Sequence, residues 1–316
     1  VNQSNNLDIC LATYNGATWI QEFLDSLDAQ TYPNWRLIVS DDSSKDSTLD
    51  IIRAHFMSAP EKLVLVQRGR TGLGVVQNFQ DAIEASDSEY VLLADQDDVW
   101  VPEKLATLLS LMRQTEQDGA PALVFSDLEV VDEQLVNINQ SWWSYISVKS
   151  NWAFNFNVIL CQNIVQGCSM MVNRSLLKVA LPFPGGVVMH DWWLLLVAQV
   201  FGVIGSSPSA LVRYRRHSKA HTFIQKSGLL SAILRQVHSI EAVRDHYKST
   251  VVQTKAFERM FAGKMDATHN REVKLRALRK YIDISSYGGV RRRWSLLKNG
   301  FHMVSILRTF KFLLWV

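Results

Sequence analysis

The first hundred residues alternate between short apolar runs and amphipathic stretches. Leu7–Ala12, Trp35–Val39, Leu63–Val66 and Tyr90–Ala94 are β-rich runs bounded by turn residues. Between them Ile20, Phe23, Leu24 and Leu27 recur at helical spacing, and Ser47–Phe56 and Val75–Ala85 repeat that pattern. A β-α-β-α-β-α-β rhythm with short turns predicts an α/β fold: a mostly parallel twisted sheet with helices on both faces. Three of the four runs end in polar clusters: Thr13-Tyr14-Asn15-Gly16, Ser40-Asp41-Asp42-Ser43-Ser44 and Asp95-Gln96-Asp97-Asp98. Ligands of such sheets gather beyond the carboxyl ends of the strands.

The second half is mixed. Ala122–Phe125, Val165–Val172 and Leu211–Val212 read as further strands, and a helix runs from about Asp191 through Val200. Over Ser227–Phe261, Leu229, Leu230, Ile233, Leu234, Val237, Ile240 and Val243 fall three or four apart. Val290–Val316 keeps that spacing with Trp294, Leu297, Phe301, Val304 and Leu307. Arg291, Arg292, Arg293, Lys298, Arg308 and Lys311 stand between them. The predicted organisation is an α/β domain over 1–222 and a basic helical region over 223–316.

Charge sharpens that division. Residues 1–210 carry 11 Lys+Arg against 24 Asp+Glu, and residues 211–316 carry 22 against 6, within a net charge of only +3. A composition of 47% hydrophobic and 20% charged residues excludes a disordered chain. Three cysteines, Cys10, Cys161 and Cys168, make no disulfide framework or zinc pattern, so a reducing compartment is expected. The first residues show no signal-peptide pattern. Trp192–Gly205, the most apolar segment, falls short of the ~20 residues a membrane span needs.

Asp95-Gln96-Asp97-Asp98 is the sharpest chemical feature. Carboxylates crowded at a strand end repel one another unless a cation intervenes, and hard oxygen ligands suit Mg²⁺ or Mn²⁺. The bland alternative is an Asp-rich turn before a helix. Asp41-Asp42 offers acceptors for a ribose or base, or an ordinary turn. The loop Gln67–Gly74 is neither a phosphate-binding P-loop nor a dinucleotide fingerprint, yet it brings Arg68 and Arg70 near the same edge. Asp191, between His190 and Trp192-Trp193, is either a base in an apolar pocket or a helix cap.

Cys10–Asn15, Ser40–Asp46, Leu93–Trp100 and His190–Trp193 together resemble the signatures of glycosyltransferase family 2, over about residues 7–220. The Asp-Gln-Asp-Asp-Val-Trp form is most similar to the bacterial rhamnosyltransferase branch. The resemblance implies a GT-A fold and an inverting transfer from a nucleotide-diphosphate sugar, with dTDP-rhamnose or a UDP-hexose as donor. It implies donor contacts at Thr13, Tyr14, Asn15, Asp41, Asp42 and Asp95, to which Arg68, Asn78 and Gln96 are added. It implies a divalent metal at Asp95 and Asp97, with His217 of Tyr-Arg-Arg-His joining them, and Asp191 as catalytic base. His190, Trp192 and Trp193 are expected to meet a glycan or lipid-linked glycan acceptor of surface polysaccharide or lipopolysaccharide synthesis.

Other classes fit less well. A sugar-nucleotide pyrophosphorylase opens with a Gly-rich loop, and Leu7–Gly16 has one glycine. A non-catalytic scaffold has no use for carboxylates at 95, 97 and 191. The basic carboxy-terminal part, with its apolar face and aromatics, favours an anionic membrane surface over nucleic acid. A cytoplasmic protein, peripheral on the inner membrane face, is expected.

Overall fold

The computed structural model describes residues 7–66, 72–148, 155–217, 231–265, 269–303 and 306–316. In chain order its first elements are β1 (Leu7–Thr13), α1 (Ile20–Asp28), β2 (Trp35–Asp41), α2 (Thr48–His55), β3 (Leu63–Val66), α3 (Gly74–Glu84) and β4 (Tyr90–Asp95). There follow β5 (Val99–Trp100), α4 (Lys104–Thr115), β6 (Ala122–Val131), β7 (Asn137–Asn139), α5 (Trp142–Tyr145) and α6 (Phe156–Cys161). Next come β8 (Met170–Asn173), α7 (Arg174–Ala180), α8 (His190–Phe201) and β9 (Val203–Arg215). The chain ends in α9 (Ser231–Met265), α10 (His269–Ser285), α11 (Gly289–Lys298) and α12 (Ile306–Trp315). Two compact units result. The first comprises Val1–Ile146, Val165–Phe183 and Met189–Arg216; the second comprises Ser147–Ile164, Pro184–Val188 and His217–Val316.

The first unit holds one nine-stranded sheet, in the order β3-β2-β1-β4-β8-β6-β9-β5, with β7 paired to β6. The block β3-β2-β1-β4 is parallel, as the alternating pattern predicts. Beyond it β8 runs antiparallel to both β4 and β6, and β9 returns parallel to β6. β1 is a nearly continuous apolar run because both its faces are covered: Leu7, Ile9, Cys10 and Leu11 are fully buried. α1 packs one stripe, Ile20, Phe23, Leu24 and Leu27, with Phe23 edge-on to Trp100 at 5.6 Å between centroids. α8 is apolar all round, and eleven of its residues, His190 to Val200, are buried.

Two strands differ from their sequence outline. Ala122–Phe125 continues as β6 to Val131, because Asp127 is satisfied internally: its carboxylate accepts from the amides of Leu128 and Trp143 and from the Ser141 hydroxyl. Val165–Val172 contains a 3₁₀ turn, Gly167–Ser169, before β8 begins.

The second unit is helical. Tyr281 of α10 is fully buried and its hydroxyl shares a hydrogen bond with Thr250 of α9, 2.8 Å. The helical spacing across Val290–Val316 does not make one helix. α11 stops at Asn299-Gly300: Gly300 adopts φ +71°, its amide bonds Leu297 O, and the Phe301 amide reaches Leu296 O. This paired closure satisfies the last carbonyls and turns the chain out of the helix. Among the described residues no helix is long and apolar enough to cross a membrane.

Candidate active site

The parallel register sets three strand ends side by side: Thr13 pairs with Asp41, and Ala12 with Asp95. The polar clusters found at separate points of the sequence therefore share one sheet edge. Thr13 is fully buried and its hydroxyl donates to Asp41 Oδ2 at 2.7 Å. Asp41 also accepts from the Ser44 amide and hydroxyl, 2.8 and 2.6 Å. Asp42 accepts from the amides of Leu73 and Gly74, 2.8 and 3.0 Å, and so anchors the start of α3. Asn78, on α3, donates to Thr13 O at 3.1 Å while its own Oδ1 is buried without a partner.

Tyr14, Asn15 and Gln96 shape the mouth. Gln96 clasps the Tyr14 backbone from both sides, accepting from its amide at 3.1 Å and donating to its carbonyl at 3.0 Å. Gly16 makes room for that clasp, since a Cβ there would lie 2.1 Å from Gln96 Oε1. Asn15 turns the chain at φ +47°, and its side-chain oxygen accepts from the Lys45 amide at 2.7 Å. An open cleft of about 490 Å³ lies here, lined by Tyr14, Asp42, Ser43, Lys45, Gly72 and Gly74. Arg68 lies outside the described residues.

Behind the cleft the carboxylates converge. Ligand atoms of Asp95, Asp98 and Cys168 come within 4.8 Å of one another. Burial, then the charges of Asp97 and Asp191, push the Asp95 carboxyl up to about 7. Asp98, 1% exposed, is held well above the ordinary range by burial and by Asp97 and Asp95, while its Oδ1 accepts from the Arg215 amide at 3.1 Å. Lys104 is buried beside them: its ammonium donates to Cys168 O at 2.6 Å and lies 3.1 Å from the Trp100 ring centroid. Burial pulls that ammonium down to about 7, with Cys168, Asp98 and Asp95 opposing.

The donor set suits an oxygen-preferring divalent ion, because buried carboxylates crowded by like charge gain most from a cation. Cys168 does not fit that preference. Its thiol is soft, and burial with Asp98 and Asp95 nearby keeps it protonated. His217 is buried and belongs to the second unit.

Asp191 stands at the start of α8, where Oδ2 accepts from the Gly167 amide at 3.0 Å and Oδ1 from the Trp192 amide at 2.6 Å. Gly167 admits this approach; a Cβ there would come 3.0 Å from His190 Nε2 and 3.4 Å from Asp191 Cβ. The acceptor contacts expected of His190, Trp192 and Trp193 require correction. His190 and Trp192 are 2% exposed and Trp193 is 0%. Trp193 donates its indole N–H to Ala180 O at 3.0 Å, and His190 stacks on Phe79 with centroids 3.7 Å apart. They are interior residues because α8 has no polar face to turn outward. Burial alone pushes His190 down to about 3, so it is neutral.

Several participants carried no local signal. Lys104 reads as an exposed helix residue, and Cys168 and Gly167 fall inside an apolar run. Arg215, two residues before His217, is locked inside: Nε donates to Asp97 O at 2.8 Å, its guanidinium also reaches Glu133 O and Glu22, and it lies 4.4 Å from the Trp19 ring centroid.

Comparison with known proteins bears on this arrangement. The model of the family described as Glycosyl transferase family 2 matches residues 8–178. An uncharacterised protein of Mycobacterium tuberculosis is 28% identical over 218 residues, 67% of this chain and 59% of the relative. The chain thus spans about three-fifths of the length of such relatives. The dTDP-rhamnosyl transferase RfbG of Shigella flexneri is 25% identical over 220 residues, 66% of this chain and 71% of that protein. Among solved structures, S. aureus TarS 1-349 in complex with UDP-GlcNAc aligns with a TM-score of 0.56 at 15% identity, covering 93% of this chain and 89% of that one. The mannosyltransferase PcManGT from Pyrobaculum calidifontis, in complex with GDP-Man and Mn²⁺, aligns at 0.55 and 18%, covering 94% and 79%. These likenesses show a GT-A fold.

Proposed function

The chain belongs to glycosyl transferase family 2, and from that membership we propose that it moves a sugar, with inversion, from a nucleotide-diphosphate donor to a glycan or lipid-linked glycan hydroxyl. The observation that carries this reading is the convergence of Asp95, Asp97 and Asp191, from segments far apart in sequence, close enough that the charges of Asp97 and Asp191 add to burial in raising Asp95 to about 7. The cleft lined by Tyr14 and Asp42 receives the nucleotide, with Thr13, Asn15, Asp41, Asn78 and Gln96 bracing the strand ends and loops around it. Asp191 accepts the proton of the acceptor hydroxyl, whose oxygen forms the new bond to the sugar's anomeric carbon from the face opposite the diphosphate. The bond from that carbon to the diphosphate oxygen breaks, and the diphosphate leaves with the electron pair. Asp95 and Asp97 would hold a Mn²⁺ or Mg²⁺, which would neutralise the departing charge. The amides of Gly167 and Trp192 orient the base before substrate arrives.

L-Rhamnose from dTDP-rhamnose is the donor sugar this reading selects, supported by the similarity to the dTDP-rhamnosyl transferase RfbG. An acceptor of that class would belong to bacterial surface polysaccharide or lipopolysaccharide synthesis. A panel of nucleotide sugars tests this by the nucleoside diphosphate each releases. Release from dTDP-rhamnose above UDP-hexoses, abolished by EDTA, is expected. No release from any donor overturns the transferase reading, and undiminished release in EDTA removes the cation from it.

A further inference from the structure

The second unit exposes what a folded helix ordinarily hides. In α11, Val290 is 80% exposed, Trp294 62% and Leu297 55%, while Leu296 beside them is fully buried. At about 100° per residue, positions 290, 294 and 297 fall within an arc of roughly 60°. They form one apolar stripe facing solvent. Arg293 flanks one side of it, Arg291 and Lys298 the other, and the Lys298 ammonium lies 4.9 Å from the Trp294 ring centroid. Arg292 points the other way, donating to Tyr287 O and to Val316 O, and so fixes α11 within its unit. α12 adds Phe310, 63% exposed, and Leu314, 39%, four residues apart. From residue 284 to 316 there are six Lys or Arg and no Asp or Glu.

We propose that this face of α11, with the exposed apolar residues of α12, docks the protein peripherally on an anionic lipid surface. The apolar stripe is costly in water, and stripe and cations together are useful at a bilayer. Trp and Leu enter the headgroup–acyl boundary, whereas the flanking cations reach anionic headgroups from both sides of the stripe. A self-associating face buries its centre but leaves two cationic flanks of one sign facing each other across a two-fold axis. An acidic lipid surface meets stripe and flanks at once. Each Lys or Arg near such a surface is worth about a fivefold gain in partition, so three supply roughly a hundredfold. The helix only lies in the interface, consistent with the absence of a spanning helix among the described residues. The inference rests on the second unit and not on sugar transfer.

Sedimentation of the full chain with vesicles of equal phosphatidylglycerol and phosphatidylcholine tests it. Binding is expected that weakens steeply with salt and is at least tenfold weaker on pure phosphatidylcholine. Trp294→Ser with Leu297→Ser should reduce partition at least tenfold, and Arg291→Gln, Arg293→Gln and Lys298→Gln together should flatten the salt dependence. Thermal melting of the Trp294/Leu297 variant should match the parent, because both side chains are more than half exposed. Three outcomes overturn the proposal: no vesicle binding, equal binding to neutral vesicles, or parental binding by the Trp294/Leu297 variant. A concentration-dependent dimer abolished by Trp294→Ser, with no vesicle binding, would assign the face to a second copy instead.

Discussion

The two units break the usual sorting of side chains in opposite directions. The first buries carboxylates: Asp8, Asp98, Asp127 and Asp191 are all at most 4% exposed. The second exposes aromatics and aliphatics along α11 and α12. A polar group goes inside at a cost that only partners or function offset, and an apolar group stays outside at a smaller cost of the same kind. The partners separate two sorts of buried acid. Asp8 is held by Arg36 at 2.9 Å and by the Ser86 hydroxyl at 2.8 Å. Burial opposes its ionisation, yet these bonds outweigh it and hold Asp8 below its ordinary value. Asp95, raised first by burial and then by the charges of Asp97 and Asp191, moves the other way, to about 7. A buried carboxylate paired with a cation is lowered; one crowded by like charge is raised.

The strongest challenge to that distinction is Asp191→Asn. It nearly preserves shape and hydrogen bonding to Gly167 but removes the proton acceptor. Transfer should fall by ~10²–10⁴ with donor binding retained, as is usual when a general base is lost. Unchanged turnover in a steady-state assay would make Asp191 a helix-start residue and place it with Asp8.

Adjacent leucines sharpen the contrast within α11. Leu296→Ala, at a fully buried position, should cost about 2–5 kcal/mol, whereas Leu297→Ala, more than half exposed, should stay within ~0.5 kcal/mol. Denaturant melts of both variants measure the difference. Equal costs would mean that the Leu297 side is covered and the stripe is not a surface.

A smaller effect comes from Asp8→Asn, expected to destabilise by about 2–3 kcal/mol at neutral pH because Arg36 loses its buried partner while keeping some contact with water. The sign with pH follows from a lowered carboxyl. Its stabilisation is complete above about 4, the unfolded value being 3.8, and is lost as pH falls below that through the folded value. The gap between wild type and variant in urea melts should therefore be flat above pH 5 and close on acidification. A gap that widens in acid would show Asp8 raised, like Asp95.

Much of this site could be read one strand at a time. Thr13, Asp41, Asp42 and Asp95 each close an apolar run, and a parallel sheet brings such ends to one edge whatever the loops between them do. Asn299-Gly300, by contrast, is a stop signal that the persistent spacing of Trp294, Leu297 and Phe301 obscures. Phe301, buried just beyond the break, falls four residues after Leu297 although Leu297 itself faces solvent, so the spacing carries through the turn without a shared face.

The sequence by itself determined most of the order of elements and the acidic strand ends, because each is written within a window of about ten residues by a period of two or 3.6, and the charge division, which is plain composition. Tertiary structure decided which carboxylates meet, since Asp191 approaches Asp95 only through the crossover to α8 and the close passage that Gly167 allows. It decided that Trp192 and Trp193 are interior while Trp294 is not, although all three stand in apolar patterns. Burial is a property of what packs against a face, and no local period records that.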